Sequence, residues 1–198
     1  MRVVAGEARG RKLKAPDTPG TRPIIDRVKT ALFDILSTEV EDARFLDLFG
    51  GTGSVGIEAL SRGAAHATFI EMNFKVLKLL RENLQTTGLA DRAESLQADA
   101  FKFLQQKSAG TTQTTSPYDI IYVAPPQYHD MAARALEILD TSPLVAEHGL
   151  VIVQIHPKER AGVAAITCQR LTLSDERRYG STLLMFYRVR EEREQNGQ

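Results

Sequence analysis

Asp47, Glu71 and Asp99 are the acidic residues of this chain best placed to do chemistry. Each closes or follows a short apolar run, and these runs alternate with stretches of helical periodicity. Asp47 leads into Leu48-Phe49-Gly50-Gly51-Thr52-Gly53, and Gly51-x-Gly53-x-x-Gly56 matches the dinucleotide fingerprint literally. Alone that spacing is a weak signal, because any tight strand-to-helix turn packs small residues. A pyrophosphate is anionic and prefers bare amides at a helix N-terminus, and the carboxylate of Asp47 would repel it. The same carboxylate attracts a cation. The loop therefore suits a nucleoside that is positively charged and carries no phosphate, as S-adenosylmethionine is. Glu71 stands where an acid accepts both ribose hydroxyls, and Asp99 where one could accept from an adenine amino group. Any one of these acids could be a helix cap. Three at successive strand ends argue for one ligand.

A fourth apolar run, Tyr118 to Val123, ends in Ala124-Pro125-Pro126-Gln127-Tyr128. Two prolines fix φ and supply no donors, which leaves carbonyls free to accept. Tyr128 offers a flat face on which a base could stack. The plainer reading is a rigid loop whose tyrosine covers the core. Metal chemistry finds no support: Cys168 is the one cysteine, and His66, His129, His148 and His156 have no ligand spacing.

The elements that must position these groups can be read from periodicity. Strands are predicted at 44–49, 67–71, 93–97, 118–123 and 150–155, with an antiparallel pair at about 165–174 and 181–189. Helices are predicted at about 24–37, 54–62, 74–87, 100–106 and 130–139. Residues 107–117 read as a polar surface loop, and 190–198 as a solvated tail. Repeated strand–helix units imply a doubly wound, mostly parallel α/β sheet, which binds ligands at the carboxyl ends of its strands. At the N-terminus, 2–5 and 11–15 read as a hairpin around Gly6 and Gly10.

The chain has 198 residues and no net charge, with 25 basic and 25 acidic side chains. It lacks a signal peptide and any apolar run near the ~20 residues of a membrane span, so a reduced, cytoplasmic setting is expected. Neutrality predicts no general attraction to nucleic acid. The first thirty residues differ, with eight basic residues against three acidic ones and a net charge of +5. Such an arm can hold phosphates.

These residues resemble a known family, the RsmD-type 16S rRNA (guanine-N2)-methyltransferases within the class I methyltransferases. The likeness starts at Arg2-Val3-Val4-Ala5-Gly6 and Arg9-Gly10-Arg11-Lys12-Leu13. It continues through Thr21-Arg22-Pro23 and the Asp47 loop into Gly56-Ile57-Glu58-Ala59-Leu60-Ser61-Arg62-Gly63, and ends near Arg178-Tyr179-Gly180. It implies a Rossmann-like seven-stranded sheet over 41–190, an RNA-contacting extension at 1–40 and a disordered tail at 191–198. It also implies S-adenosylmethionine held around Asp47, Phe49, Gly51, Gly53, Glu71 and Asp99. The substrate implied is a guanine amine of 16S rRNA in a small ribosomal subunit or its assembly intermediate. Ala124, Pro125, Pro126, Gln127 and Tyr128 would form the catalytic loop, and Arg9, Arg11, Lys12 and Arg22 would hold phosphates. No metal and no membrane are implied. One departure stands out: the family usually has Asp or Asn where this chain has Ala124, and Gln127 precedes Tyr128. Three rivals stay open: a non-catalytic RNA-binding protein on the same fold, a nicotinamide-dependent oxidoreductase, and a methyltransferase acting on another exocyclic amine.

Overall fold

A computed structural model describes residues 1–16, 24–108, 116–127 and 130–191. The candidate residues Arg22 and Tyr128, most of the loop expected at 107–117 and nearly all of the C-terminal tail lie outside the described residues. Among the described residues, seven strands form one sheet: β1 (Arg44–Asp47), β2 (His66–Glu71), β3 (Ala93–Gln97), β4 (Tyr118–Val123), β5 (Val145–Ile155), β6 (Leu171–Tyr179) and β7 (Thr182–Val189). Their order is β3-β2-β1-β4-β5-β7-β6. β1 to β5 pair in parallel, and β7 runs antiparallel to both β5 and β6. The chain winds outward from β1 to β3 and then returns to place β4 beside β1. The C-terminal ends of β1 and β4 therefore flank the switch point, where α/β sheets bind ligands.

The helices are α1 (Asp26–Leu36), α2 (Ser54–Ser61), α3 (Phe74–Thr87), α4 (Ala100–Ser108), α5 (Met131–Asp140) and α6 (Arg160–Ala164). Apolar residues of α1, α2 and α3 cover one face of the sheet, and those of α4 and α5 cover the other. β4 shows why its run reads as continuously apolar: Ile120 and Tyr122 enter the first core while Ile121 and Val123 enter the second. Helix α3 matches its expected bounds because both ends carry signals. Asn73 caps its start, accepting from the N–H groups of Lys75 and Val76, and Gly88 closes it at φ 76°. The short turn-and-helix stretch over 157–164 has no counterpart among the predicted elements, being too brief to show periodicity.

The N-terminal hairpin is reduced to one bridge, Arg2 to Lys12. Val3 N–H donates across it to the Arg11 carbonyl at 2.9 Å, Gly10 N–H to the Val3 carbonyl at 2.9 Å and Leu13 N–H to the Met1 carbonyl at 3.1 Å, while other amides turn to α2. Val4 and Ala5 donate to the Glu58 carboxylate at 2.8 and 2.9 Å, and Ala8 donates to Ser61 Oγ at 3.0 Å. Ser61 Oγ in turn donates to the Ala5 carbonyl at 2.6 Å. Gly6 sits so close that a Cβ there would lie 1.7 Å from the Ser61 carbonyl oxygen.

Helix α2 also presses closely on β2. A Cβ at Gly56 would lie 2.3 Å from the Phe69 ring. Gly56→Ala is expected to cost about 1–3 kcal/mol through overpacking, read as a lowered melting temperature. Adding Phe69→Leu should recover part of that loss. An unchanged melting temperature in Gly56→Ala would show that the helix shifts freely.

Candidate active site

β1 ends on Asp47, and the chain then turns through the glycine loop. Gly50 N–H donates to the Ile70 carbonyl at 2.8 Å, and Gly53 N–H to the Gly50 carbonyl at 2.8 Å. Gly51 and Gly53 have φ of 53° and 83°, the left-handed region that favours glycine. A Cβ at Gly53 would also press on the Ile57 side chain at 2.9 Å, so this residue serves the turn and the start of α2. It does not line the cleft into which Asp47 faces.

Asp47 is 2% exposed. Its Oδ2 accepts from Gly56 N–H at 3.4 Å, while Oδ1 is buried without a hydrogen-bond partner. Burial pushes the carboxyl up to about 7; the Gly56 and Phe49 amides oppose that rise, and the nearby Glu71 adds to it. A buried carboxylate oxygen without a donor is costly, and a cationic group entering the cleft would relieve it.

Glu71 ends β2 and ties the loop down: Oε2 accepts from Gly51 N–H at 3.0 Å and Oε1 from Asn73 N–H at 2.7 Å. Burial raises its pKa, while the amides of Asn73, Gly51 and Met72 lower it. Asp99 accepts from Lys102 N–H at 2.9 Å and so caps α4. Glu71 and Asp99, like Asp47, thus accept from backbone amides and do local structural work as well. Neither turns to bulk solvent; both line the same cleft as Asp47.

That cleft has a volume of about 570 Å³ and opens at the switch point. The structure brings Asp47, Phe49, Gly51, Glu71 and Asp99 together with Ala124, Pro125, Pro126 and Gln127 around it. Phe49 packs edge-on against Phe101, ring centres 6.2 Å apart. Pro125 is buried, whereas Pro126 and Gln127 are exposed. Two lining residues had no sequence signal: Tyr122, whose hydroxyl donates to Gln154 Oε1 at 2.6 Å, and Gln154 itself. A shallower recess of about 350 Å³, edged by Glu39, Asp42, Asp119 and His148, lies at the opposite ends of the strands.

The cations of the basic arm differ in their surroundings. Arg9, Arg11 and Lys12 are exposed, and Arg11 also donates to the Thr86 carbonyl at 3.1 Å. Three other cations counted with them have acidic partners, Lys29 in the interior and Arg2 and Lys14 at the exposed surface. Lys29 is fully buried against Glu58 at 3.2 Å, Arg2 pairs with Asp26, and Lys14 pairs with Glu82. The arm nevertheless reaches the cleft. Asn83 of α3 donates to the carbonyls of both Lys14 and Thr52, at 3.1 and 2.9 Å. Lys29 Nζ donates to Ser54 Oγ at 3.3 Å, and Thr52, Ser54 and Pro16 line the cleft. Among the described residues no cluster of His, Cys, Asp and Glu could hold a metal. No helix among them is long and apolar enough to cross a membrane.

The sheet order and its cleft define a Rossmann-like α/β domain of the methyltransferase type. An RNA methyltransferase from Salinibacter ruber, solved with S-adenosyl-L-homocysteine, shares that fold at a TM-score of 0.62 and 17% identity, over 88% of this chain and 98% of that one. The solved structure of yhhF from Escherichia coli superposes with a TM-score of 0.80 at 33% identity, covering 96% of this chain and 97% of that one. The family model described as conserved hypothetical protein 95 matches residues 1–188. Ribosomal RNA small subunit methyltransferase D of Escherichia coli is 39% identical over 154 residues, 78% of this chain and 74% of the relative. The Haemophilus influenzae protein of the same name is 32% identical over 188 residues, 94% of this chain and 93% of the relative. The chain belongs to this family, that of ribosomal RNA small subunit methyltransferase D.

Proposed function

We propose that this protein uses S-adenosylmethionine to methylate a guanine exocyclic N2 amine of 16S rRNA in the small ribosomal subunit or its assembly intermediate. The observation that carries the reading is the buried Asp47 carboxylate, one oxygen unpartnered, in a cleft shared with the Ala124–Gln127 loop. The names of the relatives support the rRNA substrate. The donor set fits the cofactor: Asp47 for its cationic amino group, Glu71 for the ribose hydroxyls, Asp99 for the adenine amine, Gly51 for close backbone approach, and Phe49 as an apolar wall.

When bound, S-adenosylmethionine supplies an electrophilic methyl group: the amine nitrogen forms the new N–C bond, sulfur keeps the electron pair of the broken S–C bond, and nitrogen sheds a proton to water. The guanine amine is delocalised into its ring and is a poor nucleophile, so the protein's task is alignment and acceptance of its N–H groups. The carbonyls of Ala124 and Pro125 accept from the amine. Gln127 sits at the loop's exposed edge, near where a splayed-out base must enter. Tyr128, proposed from sequence alone, gives that base a stacking face. Arg9, Arg11, Lys12 and Arg22 hold flanking phosphates, which adds affinity without base choice.

The test is transfer of a tritiated methyl group to small ribosomal subunits from cells lacking the gene, with the product nucleotide mapped by mass spectrometry. A methyl group on guanine N2 supports the reading; a methyl group on another amine replaces its substrate. Ala124 favours one alternative, a non-catalytic RNA-binding protein. Calorimetric binding of S-adenosylhomocysteine with no methyl transfer would establish that alternative.

Exchanging Arg9, Arg11 and Lys12 together for Gln should raise KM for the particle about tenfold and flatten its log–log salt dependence by roughly 2 to 3. Affinity for S-adenosylhomocysteine should stay unchanged. An unchanged salt slope would remove the arm from the RNA interface.

A further inference from the structure

Ala124 leaves the loop without a side-chain acceptor at its first position, and the neighbouring strand fills the gap. Val123 of β4 pairs with Val153 of β5 in parallel register. The next residues along the two strands, Ala124 and Gln154, therefore lie side by side at the C-terminal edge of the sheet, and both line the cleft. Tyr122, two residues before Ala124 and on the same face, donates its hydroxyl to Gln154 Oε1 at 2.6 Å. The register of β1 places Asp47 opposite Tyr122. Asp47, Tyr122 and Gln154 thus form a polar row along the cleft floor beneath Ala124.

We infer that Gln154 supplies the acceptor that Ala124 lacks, its Oε1 taking a hydrogen bond from the exocyclic amine of the target base. The inference rests on the methyltransferase reading above. An amide oxygen carries two lone pairs. One holds the Tyr122 hydroxyl, and the second remains for the substrate. Tyr122 is the positioning residue: 2% exposed, it fixes the amide so that no rotamer search precedes binding. Burial and the Asp47 charge both push its hydroxyl far above the usual phenol range, so it remains a donor throughout the working pH range. Gln127, the other amide near the loop, is exposed and lies on no strand, so nothing pre-sets its geometry.

The role is that of a neutral acceptor. Gln154 does not remove the proton, which passes to water. Its contribution is to hold the amine as the nitrogen pyramidalises, an interaction that strengthens in the transition state and acts on kcat.

The experiment compares wild type, Gln154→Leu, Gln154→Glu and Gln154→Leu with Ala124→Asn, using tritiated-methyl transfer to small ribosomal subunits. Calorimetry with S-adenosylhomocysteine and thermal melting run on each variant. Gln154→Leu should lower kcat about ten- to a hundredfold, with KM and S-adenosylhomocysteine affinity close to wild type; the melting temperature should fall only by the loss of the Tyr122 hydroxyl's partner, a loss that Gln154→Glu avoids. Gln154→Glu keeps an acceptor and should retain most activity. Ala124→Asn should restore activity in the Leu background by returning an amide to the adjacent strand, a rescue that a packing defect would not show. Full activity of Gln154→Leu, cofactor affinity falling in step with kcat, or failure of the Asn rescue would each overturn the inference. So would a loss confined to Gln127→Ala. An inactive wild type that binds cofactor overturns the functional reading and this inference together; an active wild type with an unimpaired Gln154→Leu overturns the inference alone.

Discussion

Asp47→Ala is expected to weaken calorimetric binding of S-adenosylhomocysteine about a hundredfold while leaving the protein folded. The buried oxygen without a donor is the reason: a charge-assisted hydrogen bond to the ligand's ammonium is worth most where water is absent. The pH dependence arises from the carboxyl's raised pKa of about 7. The ammonium needs the ionised form, so affinity should climb roughly tenfold from pH 6 to pH 8 as the competent fraction rises. Stability of the ligand-free protein should move the other way. An acid whose folded-state pKa is raised adds stability at pH values below the ordinary carboxylate range and loses it as pH rises through about 7. Asp47→Asn removes that penalty. Free of ligand at pH 8, it should therefore unfold at a higher temperature than wild type while binding cofactor more weakly, a trade of stability for function. Equal affinities at pH 6 and pH 8 would show that the ligand's cation lies elsewhere.

The same residue shows how much local pattern can reveal. Asp47, Glu71 and Asp99 were legible because apolar runs and the residues just after them mark strand ends, and α/β topology dictates where strand ends meet. The glycines were legible as a loop, but their separate duties were not. Gly51 offers backbone to the cleft, Gly53 makes the turn, and Gly56 admits the Phe69 ring. Gln154 carried no signal because its meaning depends on β4 lying beside β5, a pairing 30 residues apart in sequence. The hairpin expected at 2–5 and 11–15 around Gly6 and Gly10 is present as one bridge with three cross-strand amide bonds; its docking through Val4, Ala5 and Ala8 was not legible, because the partners of those amides are Glu58 and Ser61, more than 50 residues away. The eight cations of the first thirty residues looked equivalent as letters. Burial removes Lys29 from any phosphate, whereas Arg2 and Lys14 hold their acidic partners at the exposed surface.

The Glu58 cluster carries the other large expected effect. Its carboxylate is fully buried and accepts from four donors: Val4 N–H, Ala5 N–H, Lys29 Nζ and Arg62 Nε. Glu58→Ala should cost about 3–5 kcal/mol in urea unfolding, because it strands a buried ammonium and two amides at once. Lys29→Met should cost clearly less. It deletes a cation whose burial already lowers its pKa, and it leaves Glu58 with three donors, including the Arg62 guanidinium that stacks on Phe33. The asymmetry also predicts a difference in function. Without Glu58 the arm keeps only its Ser61 contacts on α2, so trypsin should cleave after Arg9 and Arg11 well below the unfolding midpoint, and KM for the ribosomal particle should rise. In Lys29→Met the arm loses the bond from Lys29 Nζ to the Arg2 carbonyl but keeps its amide bonds to Glu58 and Ser61, and it should resist cleavage much better than in Glu58→Ala. If Lys29→Met proves as destabilising as Glu58→Ala, the ion pair itself holds the arm, and the backbone amides merely follow it.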